Sequence, residues 1–288
     1  MLRISNCDCA IATIFLASAL APSFALSQTP SPAPSPAHPP TQVSGAQQPT
    51  QEEQSAYDHL TPYQKSLLER TYSDWAYLAK YRDADRALPA PAAGETRVVF
   101  MGDSITEGWG QSGEAGLPDR PEFFPGKPYV NRGISGQTTP QMLVRFRQDV
   151  VALKPKAVVI LAGINDIAEN TGKTTPEAIE DNFASMSEIA KANGIRVILC
   201  SILPSSAFPW HPGLEPAPQV KALNAWLKDY ALKHSLTYVD YYTPMANAEG
   251  GLKSELGHDG VHPNNAGYEI MAPLAESGIA EALKKPLR

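Results

Sequence analysis

Cysteine is scarce in this chain. Its 288 residues hold 3, and two of them, Cys7 and Cys9, lie in an N-terminal stretch expected to be cleaved off. Cys200 then has no partner for an intramolecular disulfide. Stability has to come from a packed core, which a chain of this length with 43% hydrophobic residues can supply. Cys200 ends the apolar run Ile195 to Cys200 and reads as a buried strand residue rather than a reactive thiol. No CxxC or clustered Cys/His pattern is present, so the usual signature of zinc is missing. Clusters of Lys and Arg are missing too. With a formal net charge of -6 and no basic run, the chain lacks what neutralises phosphates, and nucleic acid is excluded as a partner. The apolar run Ala10 to Ala21 falls short of the roughly 20 residues that span a bilayer.

That short run has another use. Arg3 precedes it and Ser23-Phe24-Ala25 follows, with small residues at the first and third positions as signal peptidase requires. Residues 1–27 therefore read as a secretory signal peptide, with Asp8 as an acid that runs against the pattern. The mature protein is expected to be secreted or periplasmic, with no stable membrane span after cleavage. Residues 28–56 are rich in Pro, Ser, Ala, Thr and Gln, cannot offset the entropy of folding, and are expected to form a disordered linker. Residues 57–93 form an N-terminal helical extension. Thr61-Pro62 supply an N-cap and a first-turn proline, and Tyr63, Leu67, Leu68, Tyr72, Trp75, Leu78 and Tyr81 recur at helical spacing, predicting one amphipathic helix over 62–86. Its aromatic stripe is expected to pack rather than to present a sugar-binding platform.

From 94 to 288 the pattern changes. Short β-rich runs, Arg97 to Met101, Tyr129 to Asn131, Ala157 to Leu161, Ile195 to Cys200 and Leu236 to Val239, alternate with helical stretches at about 138–150, 175–193 and 218–234, and a final helix is expected at 265–283. Continuous apolar strands separated by helices predict an α/β three-layer sandwich with a central parallel sheet of about five strands. Ligands of such sheets bind beyond the carboxyl ends of the strands, so chemistry is sought there.

After the first strand comes Gly102-Asp103-Ser104-Ile105-Thr106, which puts a hydroxyl at that edge. Ser104 with Glu107 also fits a capping box, which needs no catalysis. After the second strand, Asn131-Arg132-Gly133-Ile134-Ser135-Gly136 forms a glycine loop, with Gly133 leaving room for a ligand to approach the backbone N–H. After the third, Gly163-Ile164-Asn165-Asp166 offers a side-chain amide, although Asn-Asp after a strand also suits a turn. Near the C-terminus, Asp259-Gly260-Val261-His262-Pro263-Asn264 sets an acid three residues before a histidine, so one local turn can supply both a base and its orienter. A metal-ligand pair is the competing reading, but it lacks a third ligand.

Together the four blocks, GDSIT, NRGISG, GxND and DGxHPN, span about 97–270 and resemble the SGNH (GDSL) hydrolase superfamily, among them acetylhydrolases and lysophospholipase-like esterases. The resemblance implies a flavodoxin-like SGNH fold and a carboxylic ester hydrolase with no cofactor and no metal. It assigns Ser104 as nucleophile, His262 as base and Asp259 as its orienter, with the Ser104 N–H, the Gly133 N–H and the Asn165 side chain as oxyanion donors. A serine hydroxyl is a poor nucleophile until a base takes its proton, and the tetrahedral intermediate needs donors for its negative oxygen. The expected substrate is a small acylated molecule, first of all an acetylated saccharide. The alternatives are a lysophospholipase- or thioesterase-like lipid hydrolase, an acyltransferase, and a non-catalytic carbohydrate-binding module. The sequence does not fix the oligomeric state.

Asp103, Arg132 and Asp166 are expected to brace loops, and His258 stays outside the catalytic set. The proline-rich segment 204–218, with Phe208, Trp210 and His211, follows the fourth strand and is a candidate pocket wall; His59 and His234 read as helix-surface residues.

Overall fold

The computed structural model describes residues 55, 57–110 and 122–286. The signal peptide expected at 1–27, and the expected linker up to Gln54, lie outside the described residues. The described chain begins with helices α1 (Pro62–Ser73) and α2 (Ala79–Ala87), then strand β1 (Val98–Gly102), helix α3 (Ser104–Glu107), β2 (Tyr129–Gly133) and α4 (Thr139–Asp149). Next come β3 (Ala157–Leu161), α5 (Ile164–Ile167), α6 (Pro176–Ala192), β4 (Arg196–Cys200), α7 (Pro216–Lys233), β5 (Thr237–Val239), α8 (Tyr242–Met245) and α9 (Asn265–Lys284).

The strands form one 5-stranded sheet in the order β2-β1-β3-β4-β5, and every neighbouring pair is parallel. All of β1 and all of β3 is buried. Because successive side chains of a strand point to opposite faces, burial of every residue means that helices cover both faces, which is why these strands read as unbroken apolar runs. Burial also pushes the Cys200 thiol up to about 12, so it stays protonated inside β4.

The order of the strands places the site. The chain leaves β1 to form β2 on one side and returns to form β3 on the other, so the loops after β1 and β3 diverge and open a crevice at their carboxyl ends. Gly102 ends β1 between Gly133 of β2 and Leu161 of β3. The blocks that follow these strands therefore start level with one another.

The expected single helix over 62–86 is two helices. Asp74 explains the break: its carboxylate accepts from Leu78 N and Ala79 N, both at 2.8 Å, so it caps a new helix where the apolar periodicity would have continued. Tyr77 takes up the turn in the left-handed region at φ 53°. Consequently the stripe is not all packing. Tyr72 is 85% exposed and Trp75 39%.

Candidate active site

Ser104 opens α3, directly beyond β1. Its Oγ lies 2.9 Å from His262 Nε2, and His262 Nδ1 lies 2.7 Å from Asp259 Oδ2. The other oxygen of Asp259 accepts from Val261 N at 3.0 Å and from His262 N at 2.8 Å. One three-residue turn thus fixes both the acid and the imidazole, and a carboxylate on Nδ1 leaves Nε2 to face the hydroxyl. Burial pushes the Asp259 carboxyl up, but the hydrogen bonds and charge of His262 outweigh it and hold the group well below the usual carboxylate range. The turn is anchored at its far end by Asn264, whose side chain caps α9 by accepting from Gly267 N at 3.1 Å. Tyr268 of α9 donates to Ile105 O at 2.8 Å, which ties the histidine's helix to the serine's.

Asp103, not Ser104, caps α3: its Oδ1 accepts from Ile105 N at 2.9 Å. The capping-box reading of Ser104 and Glu107 therefore fails, and the serine hydroxyl is left to the imidazole. Glu107 instead clamps the glycine loop, accepting from Ser135 N at 2.6 Å and from Ser135 Oγ, while Lys80 of α2 donates to its other oxygen. Desolvation pushes the Glu107 carboxyl up, but these hydrogen bonds prevail and hold it below its ordinary value.

The structure does not offer the Gly133 N–H to the site. That group donates to Asn131 Oδ1 at 2.9 Å. A Cβ on Gly133 would stand 2.1 Å from Glu107 N, so this glycine is needed for close packing of the loop on α3 and not for ligand approach. Gly136, at φ 78°, lines the cleft beside Ser104, Asn165 and His262. Its N–H, like that of Ser104, meets no acceptor among the described residues. Asn165 lies in α5 beyond β3 and is buried. Its Oδ1 accepts from Asn170 Nδ2 at 2.8 Å, and its Nδ2 donates to Gln137 O at 3.0 Å. That fixes the amide and spends one of its two N–H donors.

Of the residues expected to brace loops, Asp166 accepts from Thr139 N and from Thr139 Oγ1. Burial lifts the carboxyl of Asp166, and likewise that of Asp103, to about 6. Arg132 pairs with Asp85 of α2 through Nε at 2.8 Å and lies over the Tyr81 ring. Tyr81 in turn donates to Gly133 O. Sequence reasoning missed Arg145, which is fully buried in α4. Its guanidinium donates to Arg132 O at 2.8 Å, one residue before the end of β2, and to Gly102 O at 3.0 Å, the last carbonyl of β1, and pairs with Asp149. An arginine four residues before an aspartate on an otherwise apolar helix face was the available signal.

The site opens into a cleft of about 710 Å³ shared by Ser104, Gly136, Asn165 and His262 with Trp75, Gln141 and Trp210. Trp210, from the proline-rich segment, is 46% exposed and sits with its ring centroid 6.0 Å from that of His262. His211 turns away and meets Ala168 O at 3.0 Å. Among the described residues no three His, Cys, Asp or Glu side chains converge as metal ligands, and no helix is long and apolar enough to cross a membrane.

Known proteins are similar to this chain. A GDSL-like lipase from Bacteroides thetaiotaomicron has a TM-score of 0.67 and 44% identity, over 73% of this chain and 100% of that one. An acetylxylan esterase from Geobacillus stearothermophilus is 27% identical over 202 residues, 61% of this chain and 90% of that protein. Another, from Xylanibacter ruminicola, is 25% identical over 222 residues, 67% of this chain, but the chain spans only 45% of that relative's length. Residues 100–270 match the GDSL-like lipase/acylhydrolase family, a span that takes in all of the parallel sheet but the first two residues of β1 and the serine, asparagine and histidine brought together at its edge, and the chain belongs to that family.

Proposed function

We propose that the protein is a serine esterase, exported from the cytoplasm, that removes short acyl groups, first of all acetyl, from a saccharide. The observation that carries the reading is the chain of contacts from Asp259 through His262 to Ser104 Oγ, at 2.7 and 2.9 Å, opening into a cleft rather than into the core. His262 takes the proton of Ser104 as the oxygen attacks the ester carbonyl, and Asp259 holds the imidazole in the needed tautomer and stabilises the imidazolium. The carbonyl oxygen becomes an oxyanion, received by the N–H groups of Ser104 and Gly136 and by the remaining N–H of Asn165. When the intermediate collapses, His262 gives its proton to the departing alcohol oxygen and an acyl-enzyme remains on Ser104. Water then attacks that ester, with His262 again as base, and releases the carboxylic acid.

Two relatives named acetylxylan esterase support acetyl and saccharide as the substrate classes. The signal-peptide pattern of residues 1–27 supports export. The test is hydrolysis of p-nitrophenyl acetate, butyrate and octanoate by purified 28–288. Acetate is expected to be turned over fastest, and Ser104→Ala and His262→Ala to lower kcat by at least about 10³-fold. Preference for octanoate would move the substrate to lipids. A folded wild type inert on all three would remove the esterase reading.

A further inference from the structure

One wall of the cleft comes from outside the family match. Arg70, at the end of α1, and Trp75, in the turn that follows, line the same cleft as Ser104 and His262, yet both precede residue 100, where the match begins. Their placement is built in. Gln141 Nε2 donates to Trp75 O at 2.7 Å, Gln137 Nε2 to Ala76 O at 2.7 Å and Gln148 Nε2 to Leu78 O at 2.8 Å. The turn is therefore pinned to α4 and to the end of the glycine loop.

Trp75 stands on this wall and Trp210 on the side of the proline-rich segment, 39% and 46% exposed. A core would gain by burying indoles of that size, so two left half-open in one cleft offer apolar faces to something that enters it. Arg70 supplies the charge. Among the described residues it is the sole guanidinium of the lining, and none of those residues is Asp or Glu. Among the described residues no carboxylate forms an ion pair with it. Its guanidinium carbon lies 4.3 Å from the centroid of the Tyr77 ring, which steadies the plane while leaving the N–H fork to a planar anion. In a chain of net charge -6, a cleft whose described lining holds a cation and no acid favours a ligand of negative charge.

We propose that the alcohol part of the ester is a saccharide carrying a carboxylate, with Arg70 receiving the carboxylate and Trp75 and Trp210 the sugar faces. This rests on the esterase reading above and names its substrate more closely.

The test is binding to the Ser104→Ala protein, which cannot consume its ligand. The probes are the mono-acetylated methyl glycosides of glucuronic acid and of glucose, which differ in a carboxylate against a hydroxymethyl group. Binding is followed by tryptophan fluorescence. The glucuronide is expected to bind about tenfold more tightly, the gain of one charge-assisted contact, with the preference shrinking as salt is raised. Arg70→Gln should erase the preference, Arg70→Lys should keep part of it, and Trp75→Ala should weaken both sugars several-fold. Equal Kd values, binding of neither sugar, or a preference that survives Arg70→Gln would overturn the inference. Because no turnover is needed, an inert wild type on p-nitrophenyl acetate would count against the esterase reading alone, and the Kd values would still decide this one.

Discussion

At the scale of single residues, Asn165 is held in one orientation, which suits the oxyanion role proposed for it. A free amide would turn between its oxygen and nitrogen, and each reaction would have to select the right face. Here Asn170 holds the oxygen and Gln137 O takes one N–H, so the other N–H needs no reorganisation to meet an oxyanion. Asn165→Ala is therefore expected to lower kcat on p-nitrophenyl acetate by about 10²–10³-fold with KM little changed, since the contact exists only once the negative oxygen forms. A loss confined to KM would place Asn165 in ground-state binding instead. The glycine of the loop after β2 was less legible. Gly133 and Gly136 are three residues apart, and residue type alone does not distinguish them. What decides is that Asn131 folds back onto the Gly133 N–H and that α3 fills the space beside it.

At the scale of elements, α2 behaves as a strut under the glycine loop rather than as an appendage. Lys80 reaches Glu107, Tyr81 reaches Gly133 O, and Asp85 holds Arg132, so the loop that carries Gly136 is gripped from one helix. The Arg132–Asp85 pair has both side chains 8% exposed. Breaking such a pair from one side strands a charge, which costs about 3 kcal/mol, less whatever the lost carboxylate's own burial was costing. Asp85→Ala is expected to lower the melting temperature by roughly 5–10 °C, read by calorimetry at pH 7. Asp85→Asn should lose less, because its amide oxygen can still accept from Arg132. A melting temperature unchanged in Asp85→Ala would show the loop to be held without α2.

At the scale of the whole molecule, the buried acids give stability a pH dependence with a definite sign. Burial raises Asp103 and Asp166 to about 6, whereas in the unfolded chain they ionise near about 4. Between those values the folded state binds more protons, so stability falls as pH rises from about 4 to about 6 and levels off above. Asp259 and Glu107 are held low, and what they contribute is lost only as pH falls below about 4. The melting temperature should therefore decline across pH 4.5 to 6.5, and Asp103→Asn should flatten the decline, since an amide keeps the cap to Ile105 N but has no charge to bury. A slope equal to wild type would mean that Asp103 already ionises near its ordinary value.

The sheet was legible in the sequence alone, and so were Ser104, Asp259 and His262, which the structure brings together at its edge. Strands covered on both faces must be apolar throughout, so β1, β3 and β4 could be read directly, and the Asp259 to His262 contact is a turn of three residues that needs no distant partner. Helix starts such as Pro176 and Asn264 were also legible, because a proline or a cap acts within one turn. What the sequence left open lies where the pattern meets something from far along the chain. The periodicity over 62–86 did not reveal that Gln141, Gln137 and Gln148 would hold the carbonyls of Trp75, Ala76 and Leu78 and so fix the break that Asp74 caps. Nor could composition show that Arg70 and Trp75 would share a cleft with Trp210 and Ser104. Those positions depend on which loops the order β2-β1-β3-β4-β5 brings to one edge, and that order is set by packing of the whole sheet rather than by any local run of residues.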